Sequence, residues 1–176
     1  MGQNFLKLNH QKTEYLLLSS CFKRNKLHHS LRLPNGVNIE PTSTAKNLGT
    51  IISNDILLNA QVTATCKACN IQLRNISFAR RYLTRSSTIQ VMNALVLSRI
   101  DYHNGLLLGA PSYEIKRLQR VQNSAARIIF FASRRTHVTP LLMALHWLPV
   151  KARVTFKIAV LTFRCLKTQP QGTCKA

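Results

Sequence analysis

Asn59 to Arg80 reads NAQVTATCKACNIQLRNISFAR, and the fold turns on its period. Val62, Cys66, Cys69, Leu73 and Ile76 recur at steps of three and four residues, while Lys67 and Arg74 fall outside that stripe. This spacing puts one apolar face along an α-helix. The helical period then persists. Ser86 or Ser87 can cap a second helix whose apolar set is Ile89, Met92, Leu95, Val96 and Ile100. Pro111 and Ser112 open a third, with Glu114 in its first turn, where the helix dipole favours an acid. Ile115, Leu118, Val121, Ala125, Ile128 and Ile129 form its apolar side, and Lys116, Arg117, Arg120 and Arg127 fall largely elsewhere. A short helix is expected near 138–145 after Thr136, and Pro149 starts a last one through Val154, Ile158, Leu161 and Cys165.

Upstream of residue 56 the texture is strand-like. Tyr15-Leu16-Leu17-Leu18 is an apolar run of strand length. Leu31-Arg32-Leu33 and Val37-Asn38-Ile39 flank Pro34-Asn35-Gly36, and an Asn-Gly between alternating segments is a strong hairpin signal. Asn47 to Ile52 reads as a further strand, with Gly49 a bulge or a point of close backbone approach. Residues 19–30, with Lys23, Arg24, Lys26, His28 and His29, read as a basic loop. The expected fold is therefore α+β, a small antiparallel sheet followed by a mainly helical part. Expected boundaries are 1–55, 56–168 and a disordered tail over 169–176.

The charge balance narrows function. Among 176 residues, 25 are Lys or Arg and 5 are Asp or Glu, a formal net charge of +20 with histidines neutral. Hydrophobic residues make up 45%, enough for an ordinary core. The acids are Glu14, Glu40, Asp55, Asp101 and Glu114, too scattered to offer a local motif for two-metal phosphoryl transfer or for paired-carboxylate glycoside hydrolysis. So much positive charge repels itself unless a polyanion screens it, which makes nucleic acid the first partner to consider. An anionic membrane surface is the rival, with Phe156 and Phe163 set among Lys151, Arg153, Lys157 and Arg164 in the last helix. No apolar run reaches the length of a membrane span, and Met1-Gly2 is not followed by the Ser or Thr that a myristoylation site wants. The chain reads as soluble and intracellular, with nucleus or cytoplasm open.

Cys66-Lys67-Ala68-Cys69 has the spacing of half a zinc site, but neither Cys21, Cys165 nor Cys174 supplies a matching second pair, and both cysteines fit the apolar stripe. Buried thiols are the preferred reading. His28-His29 reads as a solvated pair, and Trp147 as a core or cap anchor. No catalytic or metal site emerges from the residues. Arginines are distributed more tellingly. Arg80, Arg81 and Arg85 cluster at one helix junction and Arg134 and Arg135 at another, while Lys116, Arg117, Arg120 and Arg127 recur along one helix. Together with Arg74 they are the candidate contacts to a nucleic-acid backbone.

Several segments, taken in order, resemble the reverse transcriptases of non-LTR (LINE-type) retrotransposons. Asn4 to Asn9, Lys12-Thr13-Glu14 and the run from Tyr15 resemble the stretch after the catalytic loop, and Lys46-Asn47-Leu48-Gly49 resembles the following palm strand. Leu73 to Ile76, Ser98 to Asn104, Leu118 to Arg127 and Leu145 to Val150 are similar to the helical thumb and post-thumb region. The resemblance covers about residues 4–168. It implies the end of a polymerase palm over 1–55 and a thumb over 56–168, with Leu48 and Gly49 near the primer end and the thumb arginines on the template–primer duplex. It also implies that the catalytic aspartates, and the Mg²⁺ they hold in the parent polymerase, belong upstream of residue 1. No cofactor is then expected on this chain, which reads as inactive alone. Its partners would be RNA or an RNA–DNA duplex, together with the missing fingers and palm. Asp101 is expected to make a helix-end hydrogen bond or salt bridge. Ile56-Leu57-Leu58 departs from the family pattern. The alternatives are a basic RNA-binding or interaction protein co-opted from such an element, and a relic translation that does not fold stably.

Overall fold

The computed structural model describes residues 9, 12–18, 30–33, 36–54 and 57–167. It divides into two compact units, Met1–Gln61 and Val62–Ala176. The class is α+β, with small sheets first and helices after, as the change of hydrophobic period predicts. Asn4 to Leu8, the basic loop with His28-His29, Ile56 and the tail over 169–176 lie outside the described residues.

In the first unit, β2 (Leu31–Arg32) runs antiparallel to β3 (Asn38–Ile39), with Leu31 opposite Ile39. This is the hairpin expected around the Asn-Gly. Leu33 donates its amide to the Val37 carbonyl at 2.9 Å, and Gly36 takes a φ of 82° that suits glycine. β1 (Tyr15–Leu16) pairs in parallel with β4 (Pro41–Thr42), and the Thr42 hydroxyl donates to the Tyr15 carbonyl at 3.2 Å. β5 (Thr44–Asn47) and β6 (Thr50–Ser53) form an antiparallel ladder in which Asn47 faces Thr50.

That register corrects the reading of Asn47 to Ile52 as one strand. Leu48 and Gly49 are the two-residue turn between β5 and β6, with φ of 47° and 81°. Positive φ at both central positions is what lets a two-residue loop match the twist of paired strands. Gly49 is thus a turn residue and not a bulge. Leu48 has no such excuse: its left-handed backbone costs about 1–2 kcal/mol for a side chain of this kind, and it is 77% exposed, so packing does not compensate. Leu48→Asn is expected to stabilise the hairpin by about 1 kcal/mol. The check is amide hydrogen exchange in β5 and β6, which should slow by about fivefold.

In the second unit, α1 (Asn59–Ala79) follows the quoted period. Val62, Cys69, Leu73 and Ile76 are buried and Cys66 is half-buried. A 3₁₀ turn over Arg80–Tyr82 leads to α2 (Arg85–Met92), a π turn over Asn93–Leu97, and α3 (Ser98–Asp101). A second 3₁₀ turn over Asn104–Leu107 precedes α4 (Ser112–Phe130), α5 (Thr139–Ala144) and α6 (Val150–Lys167). The core is built from the apolar faces of these helices: Val62, Cys69, Met92, Val96, Ala125, Ala126, Ile129 and Val150 are at most 1% exposed. Trp147 is buried where α5 gives way to α6, its amide donating to the Leu142 carbonyl at 2.9 Å.

Three details differ from the pattern. Thr84, not Ser86 or Ser87, caps α2, its hydroxyl accepting the Ser87 amide at 3.1 Å. Leu95 is 39% exposed, and Leu97 is buried in its stead, because the π turn holds one more residue than an α turn and rotates the residues beyond it. In α6 only Val150 and Val154 are buried, while Leu161 and Cys165 face outward. Among the described residues no helix is long and apolar enough to cross a membrane.

Candidate nucleic-acid interface

Two hydrogen bonds set the relation of α1 to α4. The Arg117 guanidinium donates to the Thr63 hydroxyl at 2.8 Å near the start of both helices, and Arg80, just past the end of α1, donates to the Ile129 carbonyl at 3.0 Å near the end of α4. The two helices therefore run in the same general direction, tied near their ends by long arginine side chains and not by close backbone packing. Helical spacing aligns Thr63, Lys67, Asn70, Arg74 and Ser77 on one exposed row of α1, and exposed Arg81 follows in the 3₁₀ turn. Arg117, Arg120, Ser124 and Arg127 form the facing edge of α4.

Acids hardly interrupt these rows. Glu114 is buried and salt-bridged to Arg117 at 3.0 Å, which leaves Lys67, Arg74, Arg81 and Arg120 exposed along the seam. Lys67 is hidden in the sequence by its place inside the CxxC. The signal that finds it is the seven-residue recurrence Lys67, Arg74, Arg81, close to two helical turns.

The other expected backbone contacts take different places. Arg80 is only 6% exposed and donates to the carbonyls of Leu83 at 2.9 Å and Ile129 at 3.0 Å, while lying 4.1 Å from the centre of the Phe131 ring. It fastens the end of α1 to the end of α4. Arg85 stacks on Phe130 at 4.0 Å. Arg127 is half-buried and donates to the Thr136 carbonyl at 3.2 Å. Arg134 and Arg135 are exposed in the loop after α4. Lys116 lies apart, at a groove it shares with Leu107, Ile115, Lys151 and Val154. Leu48 and Gly49 sit exposed at the β5–β6 turn of the first unit.

The remaining polar residues have structural tasks. Asp101 is ion-paired with Arg153 of α6 and accepts from Asn104 at 3.4 Å, the salt-bridge role expected of it. Phe156 and Phe163 are exposed on α6, with the Lys167 ammonium 4.8 Å from the Phe163 ring. Cys69 is buried, its thiol 3.7 Å from the Val96 carbonyl. Burial pushes the Cys69 thiol from an ordinary 9.0 up to about 11, with the neighbouring Cys66 adding to the rise and Arg99 opposing it. Burial also raises Cys66, against the pull of Arg117. Among the described residues no three His, Cys, Asp or Glu side chains cluster closely enough to hold a metal ion.

The thiol shift has a signed consequence. Between pH 9 and 11 the unfolded chain releases the Cys69 proton while the native state keeps it, so stability is full below pH 9 and falls as pH rises through that window. Native alkylation at about pH 8, mapped by mass spectrometry, should label exposed Cys165 and spare Cys69 until denaturant is added.

No protein-family model matches the chain, and neither does any curated protein or solved structure.

Proposed function

We propose that this chain is the palm-end and thumb portion of a LINE-type reverse transcriptase and that it holds an RNA–DNA template–primer by its backbone, without performing the chemistry. The observation that carries the holding role is the pair of basic rows on α1 and α4. Lys67, Arg74 and Arg81 on one side span about 21 Å at 1.5 Å per residue, with Arg120 on the other. At 3.4 Å of axial rise per nucleotide of one strand, that length spans about six phosphates. Charges spaced along helices meet phosphates at fixed intervals and ask nothing of base identity, so the contact is tolerant of sequence. An exposed leucine held in a left-handed turn is a second support. Its 77% exposure leaves Leu48 open to contact from outside the chain, which in the polymerase reading is the primer end.

The test is fluorescence anisotropy of the whole chain with a labelled RNA–DNA hybrid, titrated between about 50 and 200 mM salt. Affinity should fall by about 10³-fold if six phosphates are neutralised. An affinity independent of salt would remove the backbone-contact reading. Primer extension on a primed RNA template with Mg²⁺ should give no product, and incorporation by this chain alone would overturn the non-catalytic assignment.

A further inference from the structure

A cleft of about 630 Å³ opens between the end of α1 and the second half of α4, lined by Ser77, Arg80, Ser124, Arg127, Phe131 and Arg134 among others. Three guanidinium groups meet there without a carboxylate. The ion pairs among the described residues, Glu114 with Arg117 and Asp101 with Arg153, involve none of them. Arg80 and Arg127 each spend terminal nitrogens on carbonyl oxygens, yet each keeps a buried Nε–H with no acceptor.

Capping accounts for part of this. The ends of α1 and α4 present carbonyls that carry partial negative charge, and Arg80 satisfies two carbonyls at this junction. Capping does not account for the second and third arginine, whose charge no carboxylate in the cleft offsets. The orphaned Nε atoms are closed to solvent, and the anion-binding character of the cleft comes from three arginines that line it with no carboxylate among them.

We infer that this cleft binds a phosphate monoester, as carried by a nucleotide or by a terminal phosphate of a nucleic-acid strand. A monoester bears nearly two charges and three acceptor oxygens, matching three guanidinium groups better than an internal diester with its single charge. The volume exceeds that of a bare phosphate and admits the attached nucleoside. Phe131, 69% exposed at the rim, offers ring surface to a base. In the strand-end case the inference rests on the polymerase-thumb reading, and in the free-nucleotide case it stands without it.

The experiment uses the whole chain and one short single-stranded oligonucleotide in three forms, 5′-phosphorylated, 3′-phosphorylated and unphosphorylated, read by anisotropy. AMP and adenosine are compared in parallel by thermal shift. At least one phosphorylated form should bind about tenfold tighter than the unphosphorylated one, as a charge-assisted hydrogen-bond pair supplies. Arg134→Gln, a change at an exposed position, should erase that difference, over and above any loss shared equally by all three forms. A melting shift with AMP and none with adenosine assigns the cleft to free nucleotides as well as strand ends; a terminal-phosphate effect without an AMP shift assigns it to strands alone. If no oligonucleotide binds, the backbone reading fails while AMP still decides the cleft. Equal binding of all forms with no AMP effect overturns the inference, as does a phosphate preference that survives Arg134→Gln.

Discussion

Leu118→Ala is expected to lower the unfolding free energy by about 3 kcal/mol, within the range measured for buried leucines cut back to the β-carbon. Leu118 is 2% exposed on the buried face of α4, the helix against which α2, the π turn, α5 and α6 all pack. The loss has two parts, the transfer free energy of the deleted methyl groups and the void that neighbours on several helices fill only partly. Against a total of about 5–15 kcal/mol for an ordinary domain, that is a large fraction. A melting temperature lower by about 10 °C should result. Leu166→Ala is the control, since Leu166 is 73% exposed and its removal should change stability by less than about 0.5 kcal/mol. Equal effects of the two variants would mean that α4 is not the centre of a packed core. The same melts should show a single sharp transition, which separates a specific fold from a loosely collapsed relic.

Replacing Lys67, Arg74, Arg81 and Arg120 with glutamine should weaken binding to an RNA–DNA hybrid by about 3.6 decades at 0.1 M salt. Each phosphate contact contributes about 0.9 to the slope of log affinity against log salt, so four lost contacts lower the slope by about 3.6. With affinities alike at about 1 M salt, the same figure gives the loss at about 0.1 M. All four side chains are exposed, so the fold should be unaffected. A control removes the same charge from another helix, through Lys151, Lys157, Arg164 and Lys167 of α6, each changed to glutamine. The seam predicts a large loss for the first set and a small one for the second. Similar losses would show that binding follows the field of the whole +20 chain and not the two rows.

Much of this architecture is legible in the residues, for reasons that separate local from tertiary physics. The hairpin around Gly36 and the helices from Asn59 and Ser112 rest on turn chemistry and a sustained period, both local properties. The Leu48-Gly49 turn escapes a reading of the residues because a leucine there breaks the preference by which such turns are recognised. Burial of Leu97 escapes it too, because a π turn leaves no trace in a pattern read at 3.6 residues per turn. Spacing alone puts Arg74 and Arg120 on exposed helix faces, where the structure has them. It cannot find that Arg80 turns inward, since that depends on carbonyls at the end of a helix 49 residues away. Nor can spacing predict that α6 exposes Leu161, because its apolar period continues past the point where neighbouring helices cover it.

The π turn over Asn93–Leu97 makes the helix from Arg85 to Asp101 two phases joined by a slip. Thr88 and Met92 belong to the first phase, and Leu97, Ile100 and Asp101 to the second. In an α-helix one residue is worth about 100° of rotation and 1.5 Å of advance. The slip therefore acts as an angular offset, and it brings Asp101 round to Arg153. A chain shorter by one residue here would be felt as a twist much more than as a shortening. Its buried face would stay continuous through Met92, and the ion pair that ties α3 to α6 would be turned out of reach. The single residue by which this helix exceeds a regular one is thus the setting that aligns its two ends.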